Sequence, residues 1–172
     1  MGGTPEKIAG GNSAIGQEIR CEVAAEVLRA SGELRLRVFG GSMLPSIWPG
    51  DVLLIRRAAP ADMEPGGLVL YARNGGFVVH RIVRKNGDML TTRGDALRED
   101  DEPVPFSQAL GKVAMIERSG AQFAPREKLK RPDRLLSLLM AYFAPLKAFA
   151  LHLNSLRLKF DRAQSNRETA PT

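Results

Sequence analysis

The chain has 172 residues, room for one domain with an extension rather than two full domains. Hydrophobic residues make up 44% and charged residues 26%, the balance of a folded protein, and eleven Pro with seventeen Gly favour a turn-rich fold over a helical bundle. The formal net charge of +6 suits anionic surfaces, but in the first two thirds the basic residues are dispersed and form no stripe between aromatics, so no nucleic acid partner is expected, and the one cysteine excludes an internal disulfide.

Residues 1–13 read as a flexible Gly-rich leader without an apolar run of signal-peptide or membrane-anchor length. From Ile15 to Ala30, Ile15, Ile19, Val23, Val27 and Leu28 recur at helical spacing, and Ser31-Gly32 closes the helix. Cys21 falls within it and reads as a small buried hydrophobe. With one short helix there is no room for a helix-turn-helix DNA reader.

The period then changes from helical to alternating. Leu34, Leu36 and Val38 alternate with Arg35, Arg37 and Phe39, a strand running into Gly40-Gly41. Asp51–Ile55 is a buried strand after a Pro49-Gly50 turn, and Leu68–Ala72 follows Pro65-Gly66-Gly67. Asn74-Gly75-Gly76 signals a hairpin into the strand Phe77–Val83, and Asn86-Gly87-Asp88 a second tight turn before Met89–Thr92. Ala109–Glu117 gives the last strand. About seven short strands between Gly/Pro turns predict a coiled, mostly antiparallel β-domain over residues 33–120, in an α+β chain. Residues 121–134 read as a basic linker, 135–160 as an apolar or amphipathic helical segment, and 161–172 as a disordered polar tail.

The β-domain holds the candidate chemistry. Ser42 follows two glycines, which let a chain turn sharply and aim a hydroxyl into a cleft while nearby amides face an oxyanion. His80 stands mid-strand among apolar residues, on one face with Val78 and Ile82, and imidazole is the natural base for a serine hydroxyl near neutral pH. The second histidine, His152, reads as a polar-face or interface residue of the C-terminal helix. A carboxylate that orients the imidazole completes such a site. Asp95, after Gly94 at a strand end, and Asp100 and Asp101 in an acidic loop are the candidates. No metal or other cofactor is called for.

In order along the chain stand Ser42-Met43-Leu44-Pro45, Gly50-Asp51-Val52-Leu53-Leu54-Ile55, Val79-His80-Arg81-Ile82 and Thr92-Arg93-Gly94-Asp95. This ordered set resembles the S26 signal peptidases, within the S24/S26 serine peptidase superfamily, over about residues 36–118. Histidine at the base position looks like the archaeal and endoplasmic-reticulum branch; the common bacterial enzymes and the self-cleaving SOS repressors use lysine there. The resemblance implies the coiled β-domain of the signal-peptidase and SOS-repressor type. It implies Ser42 as the acylated nucleophile, His80 as general base and Met43 lining the substrate cleft. It favours Asp101, six positions after Asp95, as the His80 partner, with Asp100 as its register neighbour and Asp95 holding the loop and the site together. Two positions depart from the pattern. Gly40 stands where bacterial relatives often carry an oxyanion-hole serine, leaving backbone amides around Gly41, Ser42 and Met43, and Ala96 replaces the family's asparagine.

The activity so implied is an endopeptidase cutting an extended peptide or preprotein after a small residue. The alternative is a non-catalytic module on a degenerate peptidase fold, holding peptides or a regulatory partner. A self-cleaving regulator is a third reading, for which Ala9-Gly10 matches a scissile pair by letters only. The 19-residue apolar run Leu135–Leu153 contains Pro145, Lys147 and His152 and is flanked by basic residues, Lys128, Lys130, Arg131 and Arg134 before and Arg157, Lys159 and Arg162 after. It predicts one or two amphipathic helices, broken near Pro145, lying on a membrane or packing on a partner, with docking on the β-domain and spanning as alternatives. The expected setting is a membrane-associated prokaryotic protein, on an undetermined side of the membrane, with a cytoplasmic location also open.

Overall fold

The alternating segments pair edge to edge into one antiparallel sheet. In a computed structural model, which describes residues 22–73, 76–129, 131–143, 145, 148–155 and 157–158, the sheet has eight strands. They are β1 (Glu33–Arg37), β2 (Val52–Arg56), β3 (Leu68–Arg73), β4 (Gly76–Asn86), β5 (Met89–Arg93), β6 (Val104–Pro105), β7 (Ala109–Arg118) and β8 (Ala121–Phe123). Their order is β1-β2-β7-β3-β4-β5-β6, with β8 added to β7, and every pairing is antiparallel. The fold class is therefore mostly β with flanking helices, as the alternation predicts. The leader, Cys21 and the polar tail lie outside the described residues, as do Asn74 and Gly75 of the predicted hairpin; Arg73 pairs with Gly76 across that turn.

Three register shifts, between Leu54 and Ile55, between Leu70 and Tyr71, and between Ile82 and Arg84, interrupt the ladders. An extra residue on one strand bends it and increases its twist, which is how a sheet of this size coils. Two apolar clusters result. Leu53, Ile55, Leu70, Val113 and Ile116 pack with Met43 and Ile47, and Val69, Tyr71, Ile82 and Leu90 form the second.

The described part of the N-terminal helix, α1 (22–31), packs Leu28 into the first cluster. It ends at Gly32, whose φ of 75° is the left-handed cap geometry that glycine adopts freely and whose N–H bonds the Leu28 carbonyl at 3.0 Å.

The predicted linker 121–134 is shorter than expected, because it contains β8 and the first turn of α2 (Arg131–Tyr142). Residues 148–155 form a further helix, α3. One face of this helical pair docks on the β-domain. Met140 and Ala150 bury against Leu44 and Ala96, with Leu136, Leu151 and Trp48 around them. Asn154 donates to the Pro49 carbonyl at 2.8 Å, and the Ser137 hydroxyl donates to the carbonyl of Asp95. Among the described residues, no helix is long and apolar enough to cross a membrane.

Candidate active site

Ser42 sits in the turn between β1 and β2, half-buried at the wall of a cleft. His80 comes from the first half of β4 and is buried, 6% exposed. The Ser42 Oγ lies 3.1 Å from His80 Nε2, and His80 Nδ1 lies 2.6 Å from Asp101 Oδ2. An ionised carboxylate can only accept, so Nδ1 carries the ring proton of the neutral imidazole and Nε2 is left to accept from the Ser42 hydroxyl. The three residues thus form one continuous hydrogen-bond chain.

Asp101 is fixed by more than the imidazole. Its own N–H bonds the Thr92 carbonyl at 2.7 Å, closing the loop that carries it back beside β5. The Thr92 hydroxyl donates to Asp101 Oδ2 at 2.7 Å and the Tyr71 hydroxyl approaches the same oxygen at 3.2 Å. Burial pushes the Asp101 carboxyl up, but hydrogen bonds from His80, Thr92 and Tyr71 and attraction to His80 outweigh it and hold the group below the ordinary carboxylate range. The Tyr71 hydroxyl moves the other way: burial and the neighbouring Asp101 raise it, so it stays a neutral donor.

Asp95, named above among the catalytic candidates, is not part of this chain. Its carboxylate takes a two-pronged contact from Arg81, Nε to Oδ1 at 2.7 Å and Nη2 to Oδ2 at 2.8 Å, and accepts the Ser46 hydroxyl. Arg81 also donates to the Gly66 and Arg126 carbonyls, each at 2.7 Å. Asp100 points to Arg84 and Arg93. A second clamp lies across the turn: Asp51 is held by Arg118 at 2.9 and 2.7 Å and accepts from the Trp48 N–H at 2.8 Å. The segment after Ser42 is therefore pinned by two arginine–aspartate pairs whose carboxylates are buried and whose fork geometry fixes position as well as charge.

The turn that carries Ser42 meets the Gly94–Leu97 turn directly. Ala96 N–H bonds the Ser42 carbonyl at 2.8 Å, and the Ala96 methyl is buried with Leu44, Met140 and Ala150. At this position of the chain an apolar contact with the C-terminal helices takes the place of the polar side chain the motif leads one to expect. Among the described residues, the Ser42 and Met43 N–H groups donate to no carbonyl or side chain. They are free to face a developing oxyanion.

Ser42 and His80 open into a cleft of about 680 Å³, lined largely by apolar side chains including Leu36, Val38, Met43, Phe77 and Val79. Its walls are strand edges. β1 pairs only with β2, and the Gly76–His80 half of β4 pairs only with β3, so among the described residues both present unpaired backbone to the cleft. No group of three or more metal-ligating side chains occurs among the described residues. His152 is exposed on α3, away from this chemistry.

Sequence reasoning did not find Arg81, Ser46, Thr92, Tyr71 or Arg118 as supports. The available signal was Arg81 itself, a cation next to His80 but on the opposite face of a strand, which needs a buried anion.

A family model described as Peptidase S24-like matches residues 6–92, just over half of the chain. The match includes Ser42 and His80 and ends before Asp101. No curated protein matches the chain. The chain belongs to the S24-like peptidase family.

Proposed function

We propose that this S24-like chain is a serine endopeptidase working through Ser42, His80 and Asp101, with the specificity of a signal peptidase. The observation that carries the reading is the unbroken chain Ser42 Oγ, His80 Nε2, His80 Nδ1, Asp101 Oδ2 opening onto an apolar cleft. Ser42 Oγ attacks a peptide carbonyl while His80 Nε2 takes its proton, and Asp101 stabilises the resulting imidazolium. The Ser42 and Met43 amides receive the oxyanion. Collapse of the tetrahedral species expels the amine, which takes the proton from His80, and water then hydrolyses the Ser42 ester by the same route.

The substrate lies extended between the free edges of β1 and β4, adding backbone hydrogen bonds to both walls. A small residue at the scissile bond and a preprotein substrate rest on the resemblance of the four ordered motifs to signal peptidases. The purified chain should form a covalent adduct with a fluorophosphonate probe and cleave extended peptides with alanine before the scissile bond. Ser42→Ala should lose both. Peptide binding by a folded chain that takes no adduct would instead favour the non-catalytic module.

A further inference from the structure

The helical pair α2 and α3 carries two apolar faces, and the β-domain covers only one. On α2 the inward residues are Leu136, Ser137 and Met140, while Leu135, Leu138, Leu139 and Tyr142 are exposed. Their spacing of three, one and three is a complete helical stripe. On α3, Ala150 and Asn154 face inward and Phe149 and Leu153 outward. Tyr142, Phe149 and Leu135 are each about 60% exposed, at 62%, 60% and 61%. A docked helix normally turns a polar face to water, so a second apolar stripe of this size marks a contact surface.

Charge says what kind of surface. Residues 126–162 contain nine of the chain's 25 basic residues and three of its 19 acidic ones. That segment alone therefore carries an excess of +6, equal to the whole net charge, and the rest of the chain, with sixteen of each sign, balances. Lys128, just before α2, and Arg134, in its first turn, are exposed, and the Arg98 guanidinium lies 4.4 Å from the centre of the Tyr142 ring. An exposed apolar stripe on a segment with an excess of positive charge fits an anionic lipid leaflet, into which rings and leucines insert while lysine and arginine stay at the headgroups. The same excess of positive charge disfavours pairing with a second copy of this face.

We propose that the outer face of α2 and α3 is a monotopic membrane contact that binds anionic bilayers without spanning them. It also sets the position of the cleft. A Cβ at Gly41, the residue before Ser42, would lie 3.0 Å from Leu151 of α3, and Leu97, which lines the cleft, immediately precedes Arg98. Docking by this face holds the cleft mouth beside the bilayer. The membrane contact is independent of whether Ser42 is acylated.

The test is co-sedimentation of the full chain with phosphatidylglycerol–phosphatidylcholine vesicles and with phosphatidylcholine vesicles alone. Binding is expected to the anionic vesicles, weakened at high salt and by at least about ten-fold in neutral ones. Leu138→Ser with Phe149→Ser should reduce it by about ten-fold while leaving the unfolding midpoint and Ser42 labelling unchanged. Lys128→Glu with Arg134→Glu should remove the preference for anionic lipid. No binding to either vesicle overturns the proposal. So does a lipid-free dimer dissolved by the Leu138/Phe149 variant, which assigns the face to a second copy.

Discussion

Gly94 lies against the turn that carries Ser42: a Cβ placed on it would sit 2.7 Å from the Ser42 carbonyl oxygen and 3.0 Å from His80 Nε2. Backbone cannot yield to a methyl group as a flexible side-chain tip can, so the turn or the imidazole has to move. Gly94→Ala should therefore lower kcat by about 100-fold, the usual effect of displacing reacting groups by about an ångström. It should cost only about 1–3 kcal/mol of stability, as overpacking does. Steady-state kinetics with a chromogenic peptide, paired with urea unfolding, checks both. A Gly94→Ala enzyme with parental kcat would mean that this contact does not position Ser42.

Asp95 and Asp101 should separate cleanly. Asp95 is 9% exposed and neutralises Arg81, so Asp95→Ala leaves a largely buried cation with no counter-charge. Such losses cost about 3–5 kcal/mol. Asp101→Asn keeps an acceptor for Thr92 and Tyr71 but offers His80 the wrong orientation partner. It should cost about 1 kcal/mol of stability and about 10⁴-fold in kcat. Equal destabilisation by the two variants would show that Asp101, like Asp95, acts as a structural clamp.

The central strands and the first two members of the site were legible because both signals are local. Alternation with period two between Gly/Pro turns marks β1 to β5 and β7, and Ser42 and His80 stand out as a hydroxyl after paired glycines and an imidazole in an apolar strand. β6 has two residues and β8 three exposed ones, too few to show a period. The clamps were illegible for another reason. Arg81 meets Asp95 across 14 positions and Arg118 meets Asp51 across 67, and nothing in the neighbourhood of either arginine names its partner. The residues alone leave Asp95, Asp100 and Asp101 open, because the choice depends on how the loop after β5 returns to the Thr92 carbonyl; only the family resemblance favours Asp101, the carboxylate that meets His80. For α2, the pattern shows an apolar helix but not two opposed apolar stripes with different neighbours.

Acid should erase what Asp101 contributes. Its carboxyl is held below the ordinary value of about 3.9 that it regains on unfolding. The folded chain therefore binds fewer protons at this site than the unfolded one. The contribution is complete above about pH 4 and is lost as pH falls through the folded value. Urea midpoints for the parent and Asp101→Asn should differ by a constant amount from neutrality down to about pH 5, then converge below about pH 4. A gap that widens on acidification would show that the group titrates in the opposite sense.

The docked and outward faces of α2 should respond differently to truncation. Met140 is 4% exposed and packs on Leu44 and Ala96, directly behind the Ser42 and Gly94 turns. Met140→Ala removes buried methylenes and leaves a cavity, a loss of about 2–5 kcal/mol. Because Ala96 N–H holds the Ser42 carbonyl, loosening this cluster should also lower the rate of Ser42 labelling. Leu138, at 49% exposure on the other face, should tolerate alanine within about 0.5 kcal/mol. Thermal unfolding and probe-labelling rates of the two variants give the comparison. If Met140→Ala is as neutral as Leu138→Ala, the helix does not brace the nucleophile turn.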